Sequence, residues 1–158
     1  PGSKFAGSTA FWPRICTLAE LYDKADDRRF RIYNTHLDYD CQYSKEAGIR
    51  VLMEHIARDF AADPLPFLLM GDFNSTPDSD VVQQVFRTTP VPLTDLSAVD
   101  ALPLSYTYHG YGLDTPCKID YLLGTPEWKP EGQKLGTWHH NGVFLSDHFP
   151  VVAELLLK

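Results

Sequence analysis

The residues of this sequence that are best suited to chemistry lie in four short polar motifs, each where a predicted strand ends. They are Asn34-Thr35-His36-Leu37-Asp38, Gly71-Asp72-Phe73-Asn74, Lys118-Ile119-Asp120-Tyr121 and Ser146-Asp147-His148. Carboxylate and amide oxygens are ligands for hard divalent cations. An imidazole paired with a carboxylate can activate water, and a second imidazole can contact phosphate oxygens. Together the motifs indicate metal-assisted cleavage of a phosphoester.

The second motif follows an apolar run, Phe67–Met70, which predicts a buried strand that breaks at Gly71. Because side chains alternate along an extended chain, Asp72 and Asn74 are expected to point the same way from the end of this strand. Asp120 has apolar neighbours, and a buried carboxylate is costly unless something pairs with it. We therefore expect Asp120 to have a polar partner.

The hydrophobic pattern predicts a mixed chain in which strands outnumber helices. The predicted strands are Ile15–Tyr22, Phe30–Asn34, Phe67–Met70, Ser105–Tyr108, Ile119–Leu123, Leu135–His139 and Val151–Leu157. A helix is predicted from about Ser44, its expected N-cap, and a shorter one from Asp78 or Ser79. Residues 1–14 are predicted to be a loop or arm, and residues 88–105 a long surface connection.

Composition limits the class of protein. The chain has 158 residues, 44% hydrophobic and 22% charged, which suits one globular domain. Its formal net charge of −7 argues against nonspecific nucleic-acid binding, which relies on clustered Lys and Arg. Cys16, Cys41 and Cys117 do not form a disulfide or zinc pattern, so free thiols are expected. The sequence does not assign a cellular compartment.

The four motifs, in this order, resemble those of the endonuclease/exonuclease/phosphatase (DNase I-like) superfamily, which includes nucleases, neutral sphingomyelinases and inositol polyphosphate 5-phosphatases. The resemblance extends from about Arg14 to Leu157. It implies an α+β fold of the α/β sandwich type, with a mixed, largely antiparallel sheet and flanking helices. Such a fold resembles the C-terminal half of the four-layer αββα sandwich.

The resemblance also implies roles for the motif residues. His148 would be the base that activates the attacking water, or would otherwise contact the scissile phosphate, and Asp120 would orient it. Asp147 would be a ligand of the divalent metal. Asp72 and Asn74 would face the phosphate and contribute to metal binding.

At the first motif, His36 would contact phosphate and assist the leaving group, and Asn34 would support that loop. The implied cation is Mg²⁺, with Mn²⁺ as a substitute. Apart from the resemblance, Tyr108 and His109 either bind substrate or belong to an ordinary edge strand and loop; the sequence leaves both readings open.

One departure from the family pattern bears on activity. No residue before Ile15 matches the family's N-terminal strand or its metal-binding Glu, so residues 15–158 are expected to form a partial domain without its N-terminal half. Weak cation binding and low or no activity follow as expectations. A second copy or the missing half is expected to cover a sheet face that includes Phe67, Leu69, Ile119, Tyr121, Val151 and Ala153.

The main hypothesis is a divalent-metal-dependent phosphoesterase. The alternatives are a nuclease of the same family and a noncatalytic half-domain that serves as a binding or interaction module. The candidate substrates are a phosphorylated small molecule, a lipid head group and a nucleic acid.

Overall fold

The computed structural model describes residues 12–97, 106–112, 116–136 and 139–158. The elements within these ranges are β1 (Cys16–Asp23), β2 (Arg28–His36), α1 (Gln42–Ala62), β3 (Phe67–Asp72), α2 (Asp80–Thr88), β4 (Thr94–Asp95), β5 (Asp120–Gly124), β6 (Trp128–Leu135), β7 (His139–His140), β8 (Val143–Phe144) and β9 (Val151–Leu157). No helix among them has the length and apolar character that a membrane span requires.

A five-stranded mixed sheet, in the order β1-β2-β3-β5-β4, is the frame of the molecule. The β2–β3 pair is parallel, and the other pairs are antiparallel. The crossover between the parallel strands is α1, as a parallel connection requires. The register places His36 beside Asp72 and Asp72 beside Asp120, so three of the polar motifs meet at one end of the sheet.

The two helices cover one face of this sheet. Apolar residues of α1 recur at helical spacing and are buried together with Val81, Val82 and Val85 of α2. They pack on the inward-facing residues of the sheet, which are Tyr33, Phe67, Leu69, Tyr121 and Leu123. Arg31 reaches the carboxyl end of α1, where it donates hydrogen bonds to the carbonyls of Asp59 and Asp63.

The helix layer covers part of the sheet face that a partner was expected to cover. Phe67, Leu69, Ile119 and Tyr121 are buried within the chain itself, at 1%, 0%, 8% and 3% exposure. The prediction was wrong for them because the alternation of a strand identifies two faces and does not identify the layer that covers each one. Val151 and Ala153 are only half-buried, and the cover over their face stays a prediction.

The opposite face of the sheet carries a second, smaller layer, the antiparallel pair of β6 and β9. Trp128 packs there with Leu68 and Leu96, and the partly buried residues around them are Phe30, Ile32, Leu122, Leu155 and Leu157. The described part of the chain is therefore a helix layer, a mixed sheet and a second sheet. This arrangement confirms the predicted α+β class.

Some element boundaries differ from the prediction. The helix α1 begins at Gln42 with Cys41 as its N-cap, so the assignment of Ser44 was wrong; the Asp38 carboxylate instead accepts the N–H groups of Asp40 and Cys41 just before the helix. Ser79 does cap α2, since its hydroxyl accepts the N–H of Val82. Cys16, Cys41 and Cys117, which all lie in the described ranges, form no disulfide bond.

Residues 137 and 138 of the strand predicted at Leu135–His139 lie outside the described ranges, while Leu135 ends β6 and His139 begins β7. Most of β6 was not predicted, because Pro130 and Gly132, where the register shifts, interrupt the strand pattern in the sequence. In place of the strand predicted at Ser105–Tyr108, Tyr108 makes isolated bridges to Cys117 and His148. The predicted connection at 88–105 contains the short β4, and residues 98–105 and most of the predicted arm lie outside the described ranges.

Candidate active site

The site is built on a row of side chains across three neighbouring strands. His36 ends β2, Asp72 ends β3 and Asp120 begins β5, and their register makes them direct neighbours. The Nε2 atom of His36 lies 3.4 Å from Oδ2 of Asp72. His148, from the loop before β9, lies over the same row with its Nε2 atom 3.9 Å from that oxygen. Residues from all four sequence motifs thus reach this end of the sheet.

Gly71 allows the row to form. Its φ of +134° is one that residues with a side chain rarely adopt, and a Cβ atom there would lie 1.8 Å from the carbonyl oxygen of Thr35 on β2. The glycine that breaks the apolar run is therefore a point where the two strands that carry His36 and Asp72 leave no room for a side chain.

Asp72 is a largely buried carboxylate with several polar neighbours. Its Oδ1 atom accepts the N–H of Asn74 at 2.7 Å, while Oδ2 faces the two histidines. Burial and the nearby Asp120 carboxylate raise the pKa of Asp72, against the opposing effects of the Asn74 hydrogen bond and the histidines. Two carboxylates this close repel each other, and a cation between them would relieve that repulsion.

His148 and Asp120 form a hydrogen-bonded pair. The His148 Nδ1 atom lies 2.8 Å from Oδ2 of Asp120. Since a carboxylate only accepts hydrogen bonds, Nδ1 carries the proton and Nε2 keeps a free lone pair directed toward the Asp72 side of the row. The polar partner expected for Asp120 is therefore His148, and the pair has the geometry of an oriented base.

Thr107 positions Asp120, although no motif or hydrophobic pattern in the sequence identifies it. Thr107 is buried, with 2% of its surface exposed. Its hydroxyl oxygen accepts hydrogen bonds from the N–H groups of Ile119 at 3.1 Å and Asp120 at 3.0 Å. The carbonyl of Thr107 also accepts the N–H of Phe149, which follows His148. One buried threonine thus fixes both sides of the histidine–aspartate pair.

Asn74 lies in a turn with a positive φ of 47°. Its side-chain amide donates to the carbonyl of Leu37, and its own carbonyl accepts from the Lys45 ammonium at 3.1 Å. The amide therefore joins the second motif to the loop that follows His36. Lys45, like Thr107, supports the site and was not identified from the sequence.

Asp147 lies beside His148 without joining the acidic group. Within the described residues, the group of metal-ligating side chains is Asp72, Asp120 and His148, whose ligand atoms all lie within 4.8 Å of one another. The backbone carbonyl of Asp147 accepts the N–H groups of His109 and Gly110, which holds the loop in place. The metal-ligand role of Asp147 stays a prediction.

Tyr108 and His109 differ in position. The Tyr108 ring packs edge-on against His148, with 5.1 Å between ring centroids, so it borders the site. His109 is 6% exposed and stacks on Phe149 at 4.3 Å. The burial of His109 favours a packing role for it, and substrate binding by Tyr108 or His109 stays a prediction.

Two cavities flank the row. One, of about 340 Å³, lies between Asn34, Met70, Asp120, His148 and Val151. The other, of about 360 Å³, lies at the His36 end and includes Arg14, Asn34, His36 and Asp72. Exposed Asn34 lines both, so the sheet face on which it lies is open to a ligand on either side of the row.

The donors fit a divalent cation. Asp72 and Asp120 offer hard carboxylate oxygens close enough to share an ion. The third member of the group, His148, has one lone pair left, on Nε2, and this lone pair cannot serve both a cation and the proton of an attacking water. Asp72 belongs to this group and is also one of the metal ligands predicted from the sequence, which were Asp72, Asn74 and Asp147.

The mixed sheet lies between a helix layer and a second sheet and carries two carboxylates and one histidine at its strand ends, with a second histidine from the loop before β9. This arrangement is that of a DNase I-like protein. The model of the Endonuclease/Exonuclease/phosphatase family matches residues 6–148. The chain belongs to this family, whose members are in general divalent-metal-dependent hydrolases of phosphoester bonds.

Solved structures share the fold. An endonuclease/exonuclease/phosphatase from Bacteroides vulgatus is 27% identical with a TM-score of 0.78, over 94% of this chain and 57% of that one. A mannosyl-6-phosphatase from Bacteroides thetaiotaomicron is 20% identical with a TM-score of 0.72, over 97% and 61%. Truncated TDP2 from Caenorhabditis elegans is 17% identical with a TM-score of 0.69, over 95% and 62%.

This chain thus spans about three fifths of the length of these solved chains. No curated protein matches it.

Proposed function

We propose that this chain is a divalent-metal-dependent phosphoesterase, with Mg²⁺ as its cation and Mn²⁺ as a substitute. The observation that carries the proposal is the row of His36, Asp72 and Asp120 with His148 hydrogen-bonded to its end. The acidic net charge of −7 favours a small phosphorylated substrate over a nucleic acid. A solved relative of the same fold is a mannosyl-6-phosphatase, which is compatible with this choice.

The reaction is an in-line displacement by water at phosphorus. The free Nε2 atom of His148 takes a proton from the attacking water, and Asp120 stabilises the resulting imidazolium through Nδ1. The new O–P bond forms as the bond to the leaving oxygen breaks. His36, whose side chain is 58% exposed, contacts a phosphate oxygen and donates a proton to the leaving oxygen.

A bound divalent cation neutralises charge on the phosphate oxygens. Asp72 would hold it, with Asp147 and Asn74 as the further ligands that the family resemblance implies. The repulsion between Asp72 and Asp120 favours cation binding, and burial of Asp72 limits competition from water.

The test is hydrolysis of p-nitrophenyl phosphate, bis-p-nitrophenyl phosphate and plasmid DNA with Mg²⁺, Mn²⁺ or EDTA. The chain spans about three fifths of the length of its solved relatives, so the assay uses high enzyme concentration and hours of incubation. We expect metal-dependent release of nitrophenol that EDTA abolishes. His148→Ala should lower it by about 10²- to 10⁴-fold, the usual contribution of a general base.

The matched variants are Asp147→Ala, expected to reduce the response to metal, and Asp26→Ala, an exposed aspartate in the β1–β2 turn that should leave turnover unchanged. Hydrolysis that survives EDTA, or that His148→Ala does not affect, would contradict the mechanism. Absence of hydrolysis of all three substrates would favour the noncatalytic interaction module.

A further inference from the structure

The cavity at the His36 end of the row contains a positive charge that the proposed mechanism does not use. Its lining includes Arg14, Thr17 and Thr35 together with His36 and Asp72. Of the described residues that line it, Arg14 is the one that is cationic at every working pH. A cavity of about 360 Å³ has room for a phosphate and part of a small organic group.

Arg14 is held in place and only weakly neutralised. The Thr35 hydroxyl donates to the carbonyl of Ile15 at 2.9 Å, which fastens the segment that carries Arg14 to β2. The nearest carboxylate oxygen among the described residues is Oδ2 of Asp38, 4.0 Å from Nε, beyond hydrogen-bond distance. The other oxygen of Asp38 is occupied by the N–H groups of Asp40 and Cys41.

One N–H donor of the Arg14 guanidinium has no acceptor among the described residues. Its Nε atom is buried and has no hydrogen-bond partner within the part of the chain that the structure describes. A buried N–H without an acceptor is costly, and a cationic one more so. The Arg14 side chain as a whole is 27% exposed and lines the cavity, so an oxyanion there would meet its terminal nitrogens, and the planar guanidinium presents paired donors that match two phosphate oxygens.

We propose that Arg14 anchors the terminal phosphate of a phosphomonoester in this cavity, with His36 on the same group, so that the chain prefers phosphomonoesters to phosphodiesters. This inference rests on the proposed function, since it places the substrate beside the catalytic row. A terminal phosphate carries about −1.5 to −2 charges at pH 7, whereas a diester carries one. The added charge and the additional free oxygen favour the monoester beside an arginine.

The test is a titration with inorganic phosphate, phenyl phosphate and diphenyl phosphate, followed by calorimetry, on the wild type, Arg14→Ala, Arg14→Lys and Arg50→Ala. The last removes an exposed arginine on α1, away from the cavity. We expect phenyl phosphate to bind at least about tenfold tighter than diphenyl phosphate. Arg14→Ala should remove this preference, Arg14→Lys should retain part of it, and Arg50→Ala all of it, a tenfold step being 1.4 kcal/mol.

Thermal unfolding of each variant shows whether the fold is kept, and Arg14→Lys serves if Arg14→Ala does not fold. Equal affinity of Arg14→Ala and the wild type for phenyl phosphate, or no phosphate binding by the wild type at millimolar concentration, would overturn the inference. Turnover with metal is measured separately. If binding depends on Arg14 but no turnover occurs, the phosphate subsite is supported and the proposed function is contradicted. If turnover occurs but Arg14→Ala binds phenyl phosphate as the wild type does, the proposed function is supported and the subsite is contradicted.

Discussion

At the scale of single residues, Asp72 has competing roles. It accepts the Asn74 N–H, faces both histidines and lies beside Asp120. The raised pKa means that the folded state holds a proton on Asp72 more tightly than the unfolded chain does. The contribution of this group to stability is therefore largest at low pH and is lost as the pH rises through its folded pKa. At neutral pH the ionised Asp72, which is ready to bind a cation, therefore lowers the stability of the metal-free protein.

The variant Asp72→Asn tests this trade-off. It keeps the acceptor for the Asn74 N–H and cannot ionise, so without metal its free energy of unfolding at pH 7 should equal or exceed that of the wild type. Its activity should fall by at least about 100-fold. Urea unfolding from pH 3 to 8 and nitrophenyl phosphate hydrolysis measure the two effects.

Asp78→Asn is the matched control for Asp72→Asn, with the opposite sign. The hydrogen bond from Thr76 lowers the pKa of exposed Asp78, so its contribution is present at neutral pH and is lost on acidification. A clear loss of stability in Asp72→Asn at pH 7 would contradict the interpretation.

Thr107 permits a second prediction at the residue scale. Thr107→Val removes the acceptor for two N–H groups and should cost about 1–3 kcal/mol for each one left buried and unpaired. Activity should fall as well, because Asp120 loses a hydrogen bond that positions it. Thr107→Ser keeps the hydroxyl and should retain the activity. Urea unfolding and hydrolysis assays compare the two; equal behaviour would show that the hydroxyl is not required.

At the scale of elements, the contact between β2 and β3 determines the site. Two parallel strands end side by side with His36 and Asp72, and the carbonyl of Thr35 occupies the space where Gly71 lacks a side chain. The strand separation and the histidine–aspartate distance are thus set by the same backbone approach.

Gly71→Ala should therefore be severely destabilising, by several kcal/mol or to the point of unfolding. Gly142→Ala is the control, since Gly142 also has a positive φ, +79°, but a Cβ there would meet no atom of the described residues within 4 Å. Its cost should be about 1 kcal/mol, the strain of the backbone conformation alone. Thermal unfolding measures both. Similar losses for the two variants would show that the Thr35 contact is not decisive.

The elements that could be predicted from the sequence are those determined by residues close to one another in the chain. The strand from Phe67 and the start of a helix near Asp78 or Ser79 follow from neighbouring residues, and both were predicted. The row needs the register between strands that are distant in sequence, and Thr107 acts through hydrogen bonds that no local pattern records. The strand β6 was missed because Pro130 and Gly132 interrupt its pattern where the register shifts.

At the scale of the whole molecule, β1 is a long edge strand with exposed apolar residues. In the described sheet it pairs on one side only, with β2. Leu18, Leu21 and Tyr22 are 49%, 42% and 54% exposed. A strand edge of this kind is a template for pairing with another chain.

We therefore expect association that depends on protein concentration. Leu21→Lys should shift sedimentation-velocity profiles toward the monomer, because a charge on an edge strand opposes pairing. Leu145→Lys, at a position 92% exposed outside β1, is the control and should leave the profile unchanged. A wild type that stays monomeric at high concentration would contradict the prediction.

The attachment of His148 has a consequence for how the protein loses activity. Three members of the row belong to neighbouring strands that share backbone hydrogen bonds, whereas His148 belongs to a loop held by the Tyr108 bridge and by contacts of its neighbours with His109 and Thr107. Segments with fewer such contacts open at a lower free energy than the core of a sheet. On warming, the loop should detach before the sheet melts, so that a folded population without its base precedes unfolding. Amide hydrogen exchange should be faster at residues 146–149 than in β3, and catalysis should decline below the melting temperature.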